Sequence, residues 1–143
     1  MREILFRGYT GRNLQYGYLI DKETIRNFDQ NGLPISTYRV IEETIGQYTG
    51  LTDKNGTKIF ESDIVLTQEY STRPYSKNAK RKRLIGVVEY YEEKHYGKIA
   101  IYNNGYRVKT KNQGKYVCGA WSDFYDCEVI GNIHDNPELL EEL

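Results

Sequence analysis

The chain has 143 residues, with twenty basic and twenty acidic side chains and a net charge of zero. That length suits one domain whose core needs no metal or disulfide staple. A neutral balance excludes a whole-protein field for nucleic acid or acidic membrane, so any such attraction has to be local.

The expected elements are short strands broken by turn residues. Ile4–Tyr9 and Tyr16–Ile20, separated by the polar Gly11-Arg12-Asn13, form a hairpin pattern. Asn31-Gly32 is a turn signal before the strand-like run Ile35–Val40. Asp53-Lys54-Asn55-Gly56 is a second turn, between Gln47-Tyr48-Thr49 and Lys58-Ile59-Phe60. Ile64–Thr67 follows, then Leu84–Tyr91, the most apolar strand candidate, in which Gly86 marks a bulge or a close backbone approach. Lys98–Tyr102, Asn103-Asn104-Gly105 and Tyr106–Lys109 read as strand, turn and strand, and Cys127–Ile133 closes the series. Only the C-terminus prefers a helix, with Asn136 as cap and Pro137 in the first turn. Many short strands with frequent turns predict a mainly β barrel or sandwich.

Fourteen tyrosines stand against four phenylalanines and one tryptophan. Tyrosine has an apolar ring and a polar tip, so it suits half-exposed strands as well as interfaces. Tyr90, Tyr91, Tyr96, Tyr102, Tyr106 and Tyr116 gather in the later strands, and Trp121 reads as a core or edge anchor. Between Tyr70 and Arg83 stand Arg73, Lys77, Lys80, Arg81, Lys82 and Arg83 with no acid among them. Taking these six from the twenty cations leaves fourteen against twenty acids, so the rest of the chain is acidic. The stretch from 69 to 83 is expected as a mobile loop outside the core. Its cations and neighbouring Tyr70 and Tyr75 suit single-stranded nucleic acid. They equally suit a solvated segment, or the acids of another subunit, such as Glu138, Glu141 and Glu142.

No nucleophile elbow or phosphate-binding glycine loop is recognisable, and no catalytic residue, cofactor or metal is expected. Cys118 and Cys127, without a histidine cluster, read as reduced thiols of a cytoplasmic protein. His95 and His134 sit in polar company and read as solvated. No run is apolar enough for a secretory signal or a membrane span. Glu61 and Asp63 would share one side of an extended chain, as turn anchors or as a carboxylate pair for acid–base chemistry.

The densest pattern runs Glu43-Thr44-Ile45-Gly46-Gln47-Tyr48-Thr49-Gly50-Leu51-Thr52-Asp53-Lys54-Asn55-Gly56 and on through Lys58 to Val65. With Glu128-Val129-Ile130-Gly131-Asn132-Ile133-His134 and the Asn136-Pro137-Glu138-Leu139-Leu140 ending, it resembles the YopX family of phage and prophage proteins. The resemblance implies an SH3-like β-roll, with residues 1–40 as an N-terminal β elaboration, residues 41–143 as the barrel core and a short C-terminal helix. It also implies a bacterial host cell, and it supplies no catalytic residue. Gln47, Tyr48, Thr49, Gly50, Asp53, Gly56, Glu61, Asp63, Gly131 and Asn132 are the family-motif positions, expected to be structural. One departure stands out: the family has Glu-Gly-Asp-Ile where this chain has Glu61-Ser62-Asp63-Ile64. If that glycine serves a positive φ, Ser62 carries strain. The expected function is a non-enzymatic module that binds a protein partner or itself, with nucleic-acid binding through Arg73–Arg83 as the alternative.

Overall fold

A computed structural model describes residues 3–68, 83–95, 101–110, 116–117 and 127–141. The fold is mainly β, in two antiparallel sheets. The chain divides into two compact units, residues 1–51 with 58–60, and residues 52–57 with 61–143.

The first unit holds β1 (Phe6–Tyr9), β2 (Leu14–Asp21), β3 (Thr24–Phe28), β4 (Pro34–Arg39), β5 (Gly46–Thr52, its last residue in the second unit) and β6 (Lys58–Phe60). They form a six-stranded sheet in the order β4-β3-β2-β1-β5-β6. The β1–β2 hairpin is the one expected, with the Thr10 N–H donating to the Asn13 carbonyl across the turn. β3 was not expected: Thr-Ile-Arg-Asn-Phe has only one aliphatic residue, yet that residue, Ile25, is fully buried. The Asp29 carboxylate accepts the N–H groups of Asn31 and Leu33 and shapes the turn into β4.

The second unit contains β7 (Asp63–Gln68), β8 (Arg83–His95), β9 (Ile101–Thr110), β10 (Tyr116–Val117) and β11 (Glu128–Asn132). Their order is β10-β9-β8-β7-β11. Ile64, Val65, Val88 and Val108 are buried, as is Cys127. Gly86 marks a close approach, as expected: a Cβ there would meet the Val108 side chain at 2.5 Å and the Lys109 carbonyl at 2.8 Å. Glu89 stands opposite Arg107, whose Nε donates to the carboxylate at 2.7 Å, a half-buried cross-strand pair.

Three expectations need correction, and a fourth, the SH3-like closure, is not confirmed. Asn103-Asn104-Gly105 is no turn; these residues pair with Glu93, Glu92 and Tyr91 inside one continuous β9. The long ladder with β8 overrides the local turn preference. The C-terminal helix is a single 3-10 turn, Pro137–Leu140, and the Asn136 side chain does not cap it. Both sheets are open among the described residues, so the expected SH3-like closure is not seen. His134 is half-buried with Nε2 shielded from solvent, rather than solvated.

The strain expected at Ser62 is present. With φ 72° it is the one non-glycine residue at positive φ among those described. Two backbone bonds hold it there: its N–H donates to Val88 (2.8 Å), and its carbonyl accepts from Ile133 (3.1 Å). A left-handed conformation costs an L-residue about 1–2 kcal/mol, and glycine escapes that cost while losing about 0.5–1 kcal/mol more backbone entropy. Ser62→Gly is therefore expected to stabilise the protein by about 0.5–1 kcal/mol. A urea titration checks this, as a higher midpoint at unchanged slope.

Candidate functional site

The family-motif positions gather around three tight constructions. The first is the turn after β5. Asp53 is 6% exposed, and its Oδ1 accepts the N–H groups of Asn55 (2.8 Å) and Thr57 (2.9 Å). Its Oδ2 accepts the N–H of Val129 at 2.9 Å, in a strand 76 residues further on. Next to it, the Lys54 N–H donates to the Cys127 carbonyl, and the Lys54 ammonium lies 3.6 Å from Glu128. Gly56, at φ 82°, closes the turn. On the β5 side, the Thr49 hydroxyl donates to the Ile59 carbonyl at 2.8 Å and accepts the Leu51 N–H. Gly50 is at φ 86°, and Gln47 stands opposite Phe6.

The second construction follows β11. Asn132 Oδ1 accepts the N–H groups of His134 and Asp135, and its amide donates to the Asp135 carboxylate. Asn136 Oδ1 accepts the Asn132 N–H at 3.4 Å and sits 2.6 Å from where a Gly131 Cβ would stand. Any side chain at 131 would displace it. The third is Glu61-Ser62-Asp63, where the left-handed Ser62 interrupts the extended chain. The same-side alternation expected of Glu61 and Asp63 therefore does not apply. Asp63 is buried and Glu61 half-buried.

A fourth cluster was not anticipated. The ladders put Arg7 opposite both Tyr16 and Gly46, so Arg7, Tyr16 and Tyr48 share one face of the six-stranded sheet. Tyr16 and Phe60 meet edge to face at 5.3 Å, although β1 and β5 lie between their strands. Three strand spacings span ~14 Å, so the sheet curls strongly toward this face. The buried Arg7 guanidinium lies 4.9 Å from the Phe60 centroid, and Lys58 Nζ lies 5.4 Å from that of Tyr48. Further along the face, Tyr18 meets Phe28 edge to face at 5.3 Å. Tyr16 and Tyr18 remain 43% and 53% exposed. The Tyr16-Gly17-Tyr18 alternation was the available signal, for it puts both rings on one side of a strand.

Of the basic candidates, Arg73, Lys77, Lys80, Arg81 and Lys82 lie outside the described residues, as does Trp121. Arg83 begins β8 and stands opposite Gln68. Tyr90 is 45% exposed and packs edge to face on the buried Tyr106 at 5.5 Å. Among the described residues, no group of three or more His, Cys, Asp or Glu side chains could hold a metal ion. No helix among them is long and apolar enough to cross a membrane.

A family model described as YopX protein matches residues 8–141. No curated protein matches the chain. Among solved structures, protein EF1440 from Enterococcus faecalis is similar at 22% sequence identity, over 98% of this chain and 99% of that one, with a TM-score of 0.44.

The Asp53 clamp has a pH signature. Burial alone would raise the pKa of this carboxyl, but the N–H groups of Val129, Thr57 and Asn55, with Lys54 nearby, hold it below its ordinary value of 3.8. The folded pKa is thus depressed, so the clamp stabilises fully above the unfolded value and its contribution disappears as pH falls through the folded one. Asp53→Ala strands three amide donors and is expected to cost about 2–4 kcal/mol at neutral pH. Urea unfolding should show the gap between wild type and variant shrinking as pH falls below about 4.

Proposed function

The chain belongs to the YopX family, and on that premise we propose that it works as a non-enzymatic binding or assembly module. Its partner is a protein or a second copy of the chain, in the cytoplasm of a bacterium carrying the phage or prophage. The motif residues serve as scaffold in this reading. Their side chains are taken up by backbone groups: Thr49 and Asn132 bond to groups close in sequence or across a hairpin, and Asp53 bonds both its own turn and the distant Val129 amide. The five-stranded sheet is the counterpart of the SH3-like roll in this view.

One observation carries the proposal. Among the described residues β4 is an edge strand of the six-stranded sheet, and Leu33 and Ile35 on or beside it are 62% and 64% exposed. Edge strands are usually blunted by charge or covered, because their unpaired N–H and C=O groups invite another strand. In β4 Pro34 blunts only the first position, and the only charged residue is Arg39, at the end. A strand added there would gain main-chain hydrogen bonds and cover Ile35. Sedimentation velocity over a concentration series should show mass rising with concentration for the wild type. Ile35→Lys should weaken that assembly by about tenfold, the effect of ~1.4 kcal/mol. A strict monomer at the highest concentration removes self-association and leaves the partner protein, sought by pull-down with and without nuclease.

The second reading is a nucleic-acid-binding accessory protein acting through Arg73, Lys77, Lys80, Arg81, Lys82 and Arg83. It is favoured by six cations in a stretch without an acid. Neutralising Lys80–Arg83 should then flatten the log–log dependence of duplex affinity on salt by about 0.9 for each phosphate no longer neutralised. An unchanged slope excludes the basic stretch.

A further inference from the structure

We propose that the turn between β3 and β4 is a two-pronged receptor for an extended segment of a partner protein. One prong is Asp29 Oδ2, which accepts an N–H; the other is the Gln30 N–H, which donates to a C=O. The site is separate from the β4 edge, and neither reading depends on the other.

The chain builds this turn twice. Asp29-Gln30-Asn31-Gly32-Leu33 and Asp53-Lys54-Asn55-Gly56-Thr57 share an aspartate, an asparagine and a glycine at the same three places. In each, Oδ1 of the aspartate accepts the N–H groups two and four residues on, at 2.8 and 2.9 Å. Its own N–H donates to the carbonyl four residues on at 2.8 Å, and its carbonyl accepts the glycine N–H at 3.0 Å. The glycines stand at φ 79° and 82°. The shared geometry leaves the same two groups over: the second carboxylate oxygen and the N–H of the next residue.

At Asp53 both are in use. Oδ2 accepts the Val129 N–H at 2.9 Å, and the Lys54 N–H donates to the Cys127 carbonyl at 3.1 Å. A C=O and the N–H two residues further on point to one side of an extended chain, so a single strand edge meets both prongs. That strand is β11, whose other edge pairs with β7. At the Asp29 turn, nothing among the described residues bonds to Oδ2 or to the Gln30 N–H. Asp29 is half-buried and Gln30 exposed, whereas Asp53, beneath its strand, is only 6% exposed. The residue between the two bonds adds selectivity. In the filled turn it is Glu128, 3.6 Å from the Lys54 ammonium. Gln30 takes the place of Lys54, so an acidic residue loses that pairing and an uncharged one fits.

The test is a nuclear magnetic resonance titration of the full chain with an acetylated, amidated peptide. The peptide copies residues 127–133 and carries Cys127→Ser and Glu128→Gln. Up to about 1 mM peptide, the Gln30 amide resonance is expected to move along a saturating curve. Methylating the peptide nitrogen at position 129 should abolish the shift, whereas methylating that at 130, on the other edge, should not. A peptide that keeps Glu128 should bind about 2- to 5-fold more weakly. Asp29→Asn keeps Oδ1 for the turn and makes the other atom a donor. It should lower the affinity about tenfold or more at an unchanged urea midpoint. The same change at the filled turn, Asp53→Asn, should lower the midpoint instead. Gln30→Pro suits the second position of a turn and removes the other prong, with the same loss read at the Asn31 amide. An unmoved Gln30 amide overturns the receptor, as does movement indifferent to Asp29→Asn or to the methyl at 129. Shifts confined to the Val129 and Asn55 amides mean exchange with the chain's own β11 and equally end the proposal. A Gln30 amide that moves with protein concentration alone gives the turn to a second copy and excludes the separate partner. Ile35→Lys in sedimentation reads the β4 edge independently of all these outcomes.

Discussion

Much of the second unit depends on one carboxylate. Asp53 closes a tight turn with Oδ1 and, with Oδ2, takes hold of the Val129 amide in β11, the strand that completes the five-stranded sheet. The bonds are charge-assisted and shielded from water, so each is worth more than an ordinary surface contact. β11 in turn bears Gly131 and Asn132, whose side-chain and backbone geometry folds the C-terminal turn back on itself. A fixed charge in a local turn thus positions a strand far away in sequence. The motif's spacing answers that demand: an acid to accept, small residues where the backbone must bend, and an asparagine to close the far end.

The strand content was largely legible from alternation and turn residues, because several strands here are short and turn signals such as Asn31-Gly32 and Asn55-Gly56 stand between them. β3 escaped because its polar residues dilute the apolar signal, although a single isoleucine suffices to anchor it in the core. Asn103-Asn104-Gly105 misled for the opposite reason: a strong local signal yielded to ten consecutive pairings with β8. The C-terminal helix shrank to one turn because the Asn136 side chain, expected to cap it, is engaged with Asn132 and Gly131 instead.

The site was legible in part. A motif departure at Ser62 was enough to anticipate a left-handed residue, since glycine in that place has one obvious physical use. By contrast, the aromatic face of the first unit could not be assembled from sequence alone. Tyr16 and Phe60 are 44 positions apart, and only the strand order and the curl of the sheet bring them together. Sequence reasoning favoured the later tyrosines, which are more numerous. Of those with described side chains, Tyr106 is buried, with Tyr90 packed on it.

The hairpin of β5 and β6 has a further consequence. Its strands up to Leu51 and from Lys58 belong to one compact unit, while the loop between them, and everything after Phe60, belongs to the other. The polypeptide therefore passes between the units three times within ten residues. No single cleavage yields two fragments that each keep a whole unit: a cut before residue 58 takes β6 from the first, and a later one takes the Asp53 loop from the second. The protein is interleaved along its backbone, and genetic dissection into independent halves has no natural seam to follow.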